Sequence, residues 1–448
     1  MAERTTRREL LKAGTAAALA TMAAREPAGA TPSEAERRTV RLGMVGVGNR
    51  GTSLLQTLLT LDGVEIPALC DIHLGNLSRA QEIVQGKTGK RPEGYSAGPE
   101  DFRRMVVRDD LDAVITATPW KWHTPVAVAA MQAKKYAATE VPAAVTVEEC
   151  WRLVDTSEAT GMPCMMLENV CYYRDMLMVL NMVRSGLLGE MLCCEGGYQH
   201  DCRAMSFDAK GEFGDSSASG VQLWSTIEAE RRNGNVYPTH PIGPIAQYLN
   251  IDRGDRFTYL VSMSTKSRGL NLWIKEKFGP DHPNARRNFA QGDINTTMIK
   301  THNGCTVTLY FDSQSPRPYD LGFRVQGTKG IYSKTLDSIY VEGRSPGRDA
   351  WETIEHYRDQ YEHPLWKKFG DAAKNHGHGG ADYITLERFI RAVRERAQPE
   401  QDVYDAATWS VISPLSELSV ARGSAPVGFP DFTRGKWRSR APVGIVNE

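Results

Sequence analysis

From residue 40 onward the chain alternates short apolar runs with amphipathic stretches. The run Val40-Arg41-Leu42-Gly43-Met44-Val45 reads as a buried strand, and Leu54, Leu55, Leu58 and Leu59 then share one face of a helix. Further strands are predicted over 64–70, 112–118, 136–140 and 162–167, with helices over 76–85, 124–133 and 148–160. The second of these helices opens at a Thr-Pro pair, and the third closes at Gly161. Strand and helix in alternation predict an α/β, doubly wound parallel sheet over 40–168. The pattern then changes. A helix over 176–185 is followed by strand-like runs over 191–199, 257–264, 296–300, 306–311 and 322–327. These predict a C-terminal α+β domain, 169–448, on a mainly antiparallel sheet. Long polar insertions near 203–235 and 265–295 interrupt it, and two late helices, 383–396 and 405–421, close the chain.

Composition narrows the class. The 448 residues are 41% hydrophobic and 24% charged, enough for more than one core. Lys+Arg and Asp+Glu are both 54, so the net charge is zero and nothing points to a nucleic-acid partner. The eight Cys contain no CxxC pair and read as free or buried thiols. The first 39 residues stand apart. Thr6-Arg7-Arg8-Glu9-Leu10-Leu11-Lys12 precedes a mild, Ala-rich apolar run, which reads as a twin-arginine signal peptide and linker. The run is too short for a stable membrane span. The expected partner is the twin-arginine export machinery, and the expected location is periplasmic or extracellular. Substrates of that route cross folded, which suits an enzyme that carries a bound cofactor out with it.

The chemistry-bearing motif is Gly46-Val47-Gly48-Asn49-Arg50-Gly51, set between a strand and a helix. There the glycines let backbone amides approach a pyrophosphate, and the helix N-terminus favours its charge. This makes the first domain a Rossmann domain. Asp71 ends the second strand, where a carboxylate accepts from ribose hydroxyls and repels a 2′-phosphate, so NAD is expected over NADP. Thr118-Pro119-Trp120-Lys121-Trp122-His123 and Glu140-Val141-Pro142 each follow a strand's carboxyl end and are expected to face the same crevice.

These residues carry a resemblance over 40–448 to the Gfo/Idh/MocA oxidoreductase superfamily. Within it the chain most resembles glycoside hydrolase family 109, the NAD-dependent α-N-acetylgalactosaminidases. Supporting stretches are Ala117 to Pro125, Glu140-Val141-Pro142-Ala143-Ala144, Met165 to Val170, Asn233 to His240, Arg317-Pro318-Tyr319, Gly322 to Gly327 and Gly377-His378-Gly379-Gly380. Typical dehydrogenases of the superfamily carry Glu-Lys-Pro where this chain has Val141, so an acid/base Lys is absent. The resemblance implies that Asn49, Arg50, Asp71, Trp120, Lys121, Trp122, His123, Glu140, Val141 and Asn169 contact NAD. It also implies a carbohydrate site of Tyr198, Tyr237, Pro238, Thr239, His240 and Tyr319. Three departures stand out: Ser225 where the family usually offers an Arg to the substrate, Pro241 after His240, and Gln199 in the Tyr-x-His-Asp stretch.

The implied reaction is transient oxidation at C3 of the sugar, elimination of the aglycone, hydration and re-reduction, an exception to the two-carboxylate scheme. His240 is the leading general acid/base, since an imidazole titrates near working pH. Tyr198 and Tyr319 are proton donors or hydroxyl partners. His376 and His378 lack a clear third ligand, so a turn or substrate-edge contact is expected and no metal. Two other classes stay open: an exported sugar or cyclitol oxidoreductase without cleavage, and a non-catalytic sugar- or NAD-binding protein. The sugar, the anomer and whether the chain forms a homo-oligomer are left open.

Overall fold

The computed structural model describes residues 38–214 and 223–443; the expected signal peptide, apart from the last two residues of 1–39, lies outside them. Strands β1 (Val40–Val45), β2 (Val64–Cys70), β3 (Glu93–Tyr95), β4 (Ala113–Thr116), β5 (Tyr136–Thr139) and β6 (Cys164–Met166) form one parallel sheet in the order 3-2-1-4-5-6. Helices α1 (Asn49–Leu58), α2 (Leu74–Thr88), α3 (Phe102–Val106), α4 (His123–Gln132) and α5 (Val147–Thr160) connect them. The sheet is covered on both faces, which is why its strands read as unbroken apolar runs. Leu42, Met44, Val114 and Ile115 are all buried. The side chain of Thr146 caps α5 by accepting from the Glu149 amide, and Gly161 ends the helix at φ 71°. The sequence pattern missed β3 and α3. Three and five residues are too few to show a period.

The chain continues through α6 (Arg174–Arg184), β7 (Met191–Gln199), α7 (Ser225–Arg231) and α8 (Thr239–Tyr248). It then runs through β8 (Phe257–Ser264), α9 (Gly269–Phe278), β9 (Ile294–Thr301), β10 (Thr306–Asp312), β11 (Arg324–Gly327), β12 (Gly330–Ser333), β13 (Ser338–Val341) and β14 (Glu352–Thr353). It ends with α10 (Arg358–Tyr361), α11 (Pro364–Ala373), α12 (Ala381–Glu395), α13 (Val403–Ser410), α14 (Ile412–Ala421) and β15 (Val427–Gly428). Nine strands make the second sheet, ordered 14-13-12-11-7-10-9-8-15. Every pairing is antiparallel except β7 with β10. Helix α8 packs on β7, and α14 on β8.

Two expectations need correction, and one helix gave no readable pattern. The insertions are not plain polar loops. They contain α7 and α9, which meet around Phe207, Leu270, Ile274 and Phe289, a small core of their own. The late helix over 405–421 is two helices. Pro414 has no amide to donate to the Ser410 carbonyl and opposes it sterically, so the chain breaks at Val411. Helix α8 was hidden by Pro241, Gly243 and Pro244, which lower local propensity, although eight of the nine residues from Pro241 to Leu249 are apolar or Gly/Pro and nearly all are buried.

Candidate active site

The carboxyl ends of β1, β4 and β5 open on a cleft of about 380 Å³ at the point where strand order reverses. Each glycine of the loop between β1 and α1 has its own reason. Gly46 has φ +81°, and a Cβ there would stand 2.8 Å from the Ala117 carbonyl. Gly51 packs α1 against the strand, since its Cβ would lie 2.0 Å from Gly46 O. Gly48 precedes the first helical residue and has open space in front of it, its nearest neighbour being Asn76 Nδ2 at 3.7 Å. A Cβ here would crowd a ligand and nothing else. Asp71 follows β2 and lines the cleft. Its carboxylate accepts from Val47 N–H at 2.9 Å and His73 N–H at 2.8 Å, which aims the remaining lone pairs at the cavity. The cradle, the helix N-terminus and this acceptor fit a dinucleotide.

Of the residues expected at the cofactor, Gly46, Gly48, Asn49, Arg50, Asp71, Trp120, Lys121, Trp122, His123, Glu140 and Val141 line the cleft. Gly51 and Asn169 do not. The first acts through packing, and the second is buried behind the wall. Although His123 borders the cleft, its ring nitrogens face the carbonyls of Pro142 (2.7 Å) and Thr118 (2.8 Å), and its burial lowers its pKa. It therefore ties together the two loops that follow β4 and β5. Trp120 stacks on Tyr237 with ring centroids 5.5 Å apart and meets the edge of Trp224 at 5.2 Å. These three rings border both the cleft and a second cavity of about 90 Å³.

That second cavity brings the expected sugar residues Tyr198 and Tyr237 together with Ser225, Thr226, Gln291, Ser313 and Gln314. Among the described residues its wall has no charged side chain. His240, on the first turn of α8, sits 4.9 Å from Tyr237 and 5.6 Å from Tyr198 between ring centroids. Its Nδ1 is 2.7 Å from Glu168 Oε1, a carboxylate wholly buried and further bonded by the Val170 amide. The pair fixes Nδ1 as the donor, so Nε2 carries a lone pair and has no partner among the described residues. Glu168 was missed as a functional residue. It lies 72 positions from His240, and no sequence spacing links them. Burial pushes the Tyr198 and Tyr237 hydroxyls far up and that of Tyr319 up to about 12, so all three remain neutral donors. Tyr319 is 48% exposed and lies 6.3 Å from Tyr198, at the rim. Pro238 and Thr239 shape the entry to α8, and Gln199 Oε1 accepts from Arg317 at 2.6 Å.

His376 and His378 are occupied elsewhere. His376 lies 3.3 Å from Thr57 Oγ1, and His378 Nδ1 is 2.9 Å from Asp382 Oδ2. Asp382 also binds Arg50 and Asn169, and Arg50 in turn binds Glu140 at 2.6 Å. Asp382 too was missed, because two of its partners, Arg50 and Asn169, come from distant segments.

A nicotinamide-dependent Rossmann cleft that meets an aromatic, hydroxyl-rich cavity on a second sheet defines an enzyme of the NAD-binding oxidoreductase fold. Residues 40–168 match the family model "Oxidoreductase family, NAD-binding Rossmann fold". Residues 172–439 match "Glycosyl hydrolase 109, C-terminal domain". The chain belongs to glycosyl hydrolase family 109, and it is an NAD-dependent glycosidase. It is 45% identical to a glycosyl hydrolase family 109 protein of Solibacter usitatus over 98% of this chain and all of that one. It is 46% identical to the α-N-acetylgalactosaminidase of Tannerella forsythia, over 90% of this chain and 88% of that one. In fold it is similar to a levoglucosan dehydrogenase solved with NADH and L-sorbose: TM-score 0.64, 18% identity, 88% of this chain and 100% of that one.

Proposed function

We propose that the protein hydrolyses an N-acetylgalactosaminide by elimination and hydration, with His240 as the base. The observation that carries this reading is the Glu168–His240 pair, set beside Tyr198 and Tyr237 where the aromatic wall joins the two cavities. When bound, NAD would supply the redox chemistry, taking a hydride from C3 as the hydroxyl proton passes to solvent and giving it back, with a proton, at the close of the cycle. Asp71 would hold its ribose, and the amides at Gly48 and Asn49 its pyrophosphate. With C3 at the ketone level, the C2 proton is acidic and His240 Nε2 removes it. The buried Glu168 carboxylate stabilises the resulting imidazolium. A neutral tyrosine hydroxyl, Tyr198 or Tyr319, gives a proton to the departing glycosidic oxygen. Water then adds at C1 and gives its proton back to the tyrosinate, and the imidazolium, its N–H exchanged with solvent, protonates C2. The uncharged wall of the second cavity suits an acetamido group, and Ser225 leaves that recognition to neutral hydrogen bonds. The Arg7-Arg8 pair and the Ala-rich run behind it support export by the twin-arginine route. Failure of residues 1–39 to export a folded reporter would remove that part.

The test is turnover of a nitrophenyl N-acetylgalactosaminide in heavy water. Deuterium at C2 of the released sugar is expected, and cleavage without it would refute the elimination. Net nicotinamide reduction with no cleavage would favour a plain sugar dehydrogenase. His240→Ala should lower kcat by roughly 10²–10⁴-fold with NAD still bound.

A further inference from the structure

Asp382 stands on the first turn of α12, 332 positions from Arg50, and its side chain is 1% exposed. Four donors converge on its two oxygens: Arg50 Nη1 at 2.5 Å and Nη2 at 3.0 Å, Asn169 Nδ2 at 2.8 Å, and His378 Nδ1 at 2.9 Å. The preceding loop is shaped around this carboxylate. A Cβ on Gly377 would stand 2.3 Å from Oδ2, and His378, Gly379 and Gly380 run through φ of 53°, 65° and 99°. Burial opposes its charge, yet the bonds from His378 and Arg50 and the charge of Arg50 hold its carboxyl well below the usual range. It is an anion throughout the working pH.

Arg50 needs such a partner. It places a cation in the first turn of α1, where the helix dipole disfavours one. Its Nε donates to Glu140 while its two terminal nitrogens grip Asp382, so all three guanidinium nitrogens are committed. Arg50 and Glu140 line the cofactor cleft; Asp382 is behind them. With Asp382 neutral, the guanidinium would keep one carboxylate and gain the freedom to rotate into the cleft.

We propose that Asp382 is a positioning residue for NAD: by clasping Arg50 from the second half of the chain, it fixes Arg50 and Glu140 on the cleft wall and retains the cofactor. The proposal rests on the NAD site and not on the sugar chemistry.

The full-length protein is stripped of nucleotide, and NAD rebinding is measured by calorimetry in four forms: wild type, Asp382→Asn, Arg50→Gln and the double variant. Asp382→Asn is expected to weaken NAD by about tenfold or more, the worth of one charge-assisted hydrogen bond. With Arg50→Gln already in place, the same change should cost about twofold or less, because the clasp is gone. A full loss in both backgrounds, or no loss in either, would overturn the proposal. Asp382→Ser, smaller and neutral beside Gly377, is read identically if the Asn variant does not fold. A wild type that binds no NAD would sink the cofactor site itself, a separate failure.

Discussion

Glu168→Gln tests how the proposed base is held. Oε1 of Glu168 accepts from both His240 Nδ1 and the Val170 amide, while Oε2 has no partner among the described residues. In the variant the amide oxygen takes the place that two donors face, and the NH₂ falls where Oε2 was. The imidazole then keeps its orientation and tautomer and loses only the negative charge opposite its protonated form. A hydrogen bond to a charged group contributes about 1.5–3 kcal/mol. At 1.36 kcal/mol per decade this is a fall in kcat of about 10- to 150-fold. A ring forced into the wrong tautomer would cost far more, about 10⁴-fold. The unpaired NH₂ should also lower stability by about 1–3 kcal/mol, seen as a lower Tm. NAD content should be unchanged, since Glu168 does not line the cofactor cleft. The assay is kcat on a nitrophenyl N-acetylgalactosaminide, with NAD released by denaturation counted alongside. A kcat within threefold of wild type would refute the dyad.

Asp71→Ala should weaken NAD by about tenfold, since it removes the ribose acceptor and frees the Val47 amide; titration with NAD checks this. Gly51→Ala should cost roughly 3 kcal/mol and reduce NAD content, because the new Cβ meets the Gly46 carbonyl at 2.0 Å; thermal melting reads it. Burial pushes the Asp252 carboxyl up to about 7, above its unfolded value of about 3.9. Its proton therefore favours the folded state below pH 4, and that stability is lost as pH rises from about 4 to 7, up to about 4 kcal/mol. Asp252→Asn, suited to its φ of 61°, should flatten this part of the stability profile in urea melts, and an unchanged slope would refute the assignment.

The sequence alone determined the elements whose physics is local. The apolar run of β1, the glycine loop and Asp71 at the end of β2 imply the NAD cleft, because a parallel strand buried on both faces and a helix N-terminus each leave a contiguous signature. Strands β7 and β8 were legible to the residue as well. Residues that act through distant partners were decided only by the tertiary structure. Glu168 looks like one more carboxylate after a strand until α8 brings His240 onto it. Asp382 looks like an ordinary first-turn acid until Arg50, Asn169 and His378 converge there. His123 turns both ring nitrogens to backbone carbonyls, and Asn169 gives its Nδ2 to Asp382 while its Oδ1 has no partner among the described residues, details that no local pattern reveals. A residue's type fixes what chemistry it can do, but which groups it meets depends on packing between segments tens to hundreds of positions apart, and no local pattern records that.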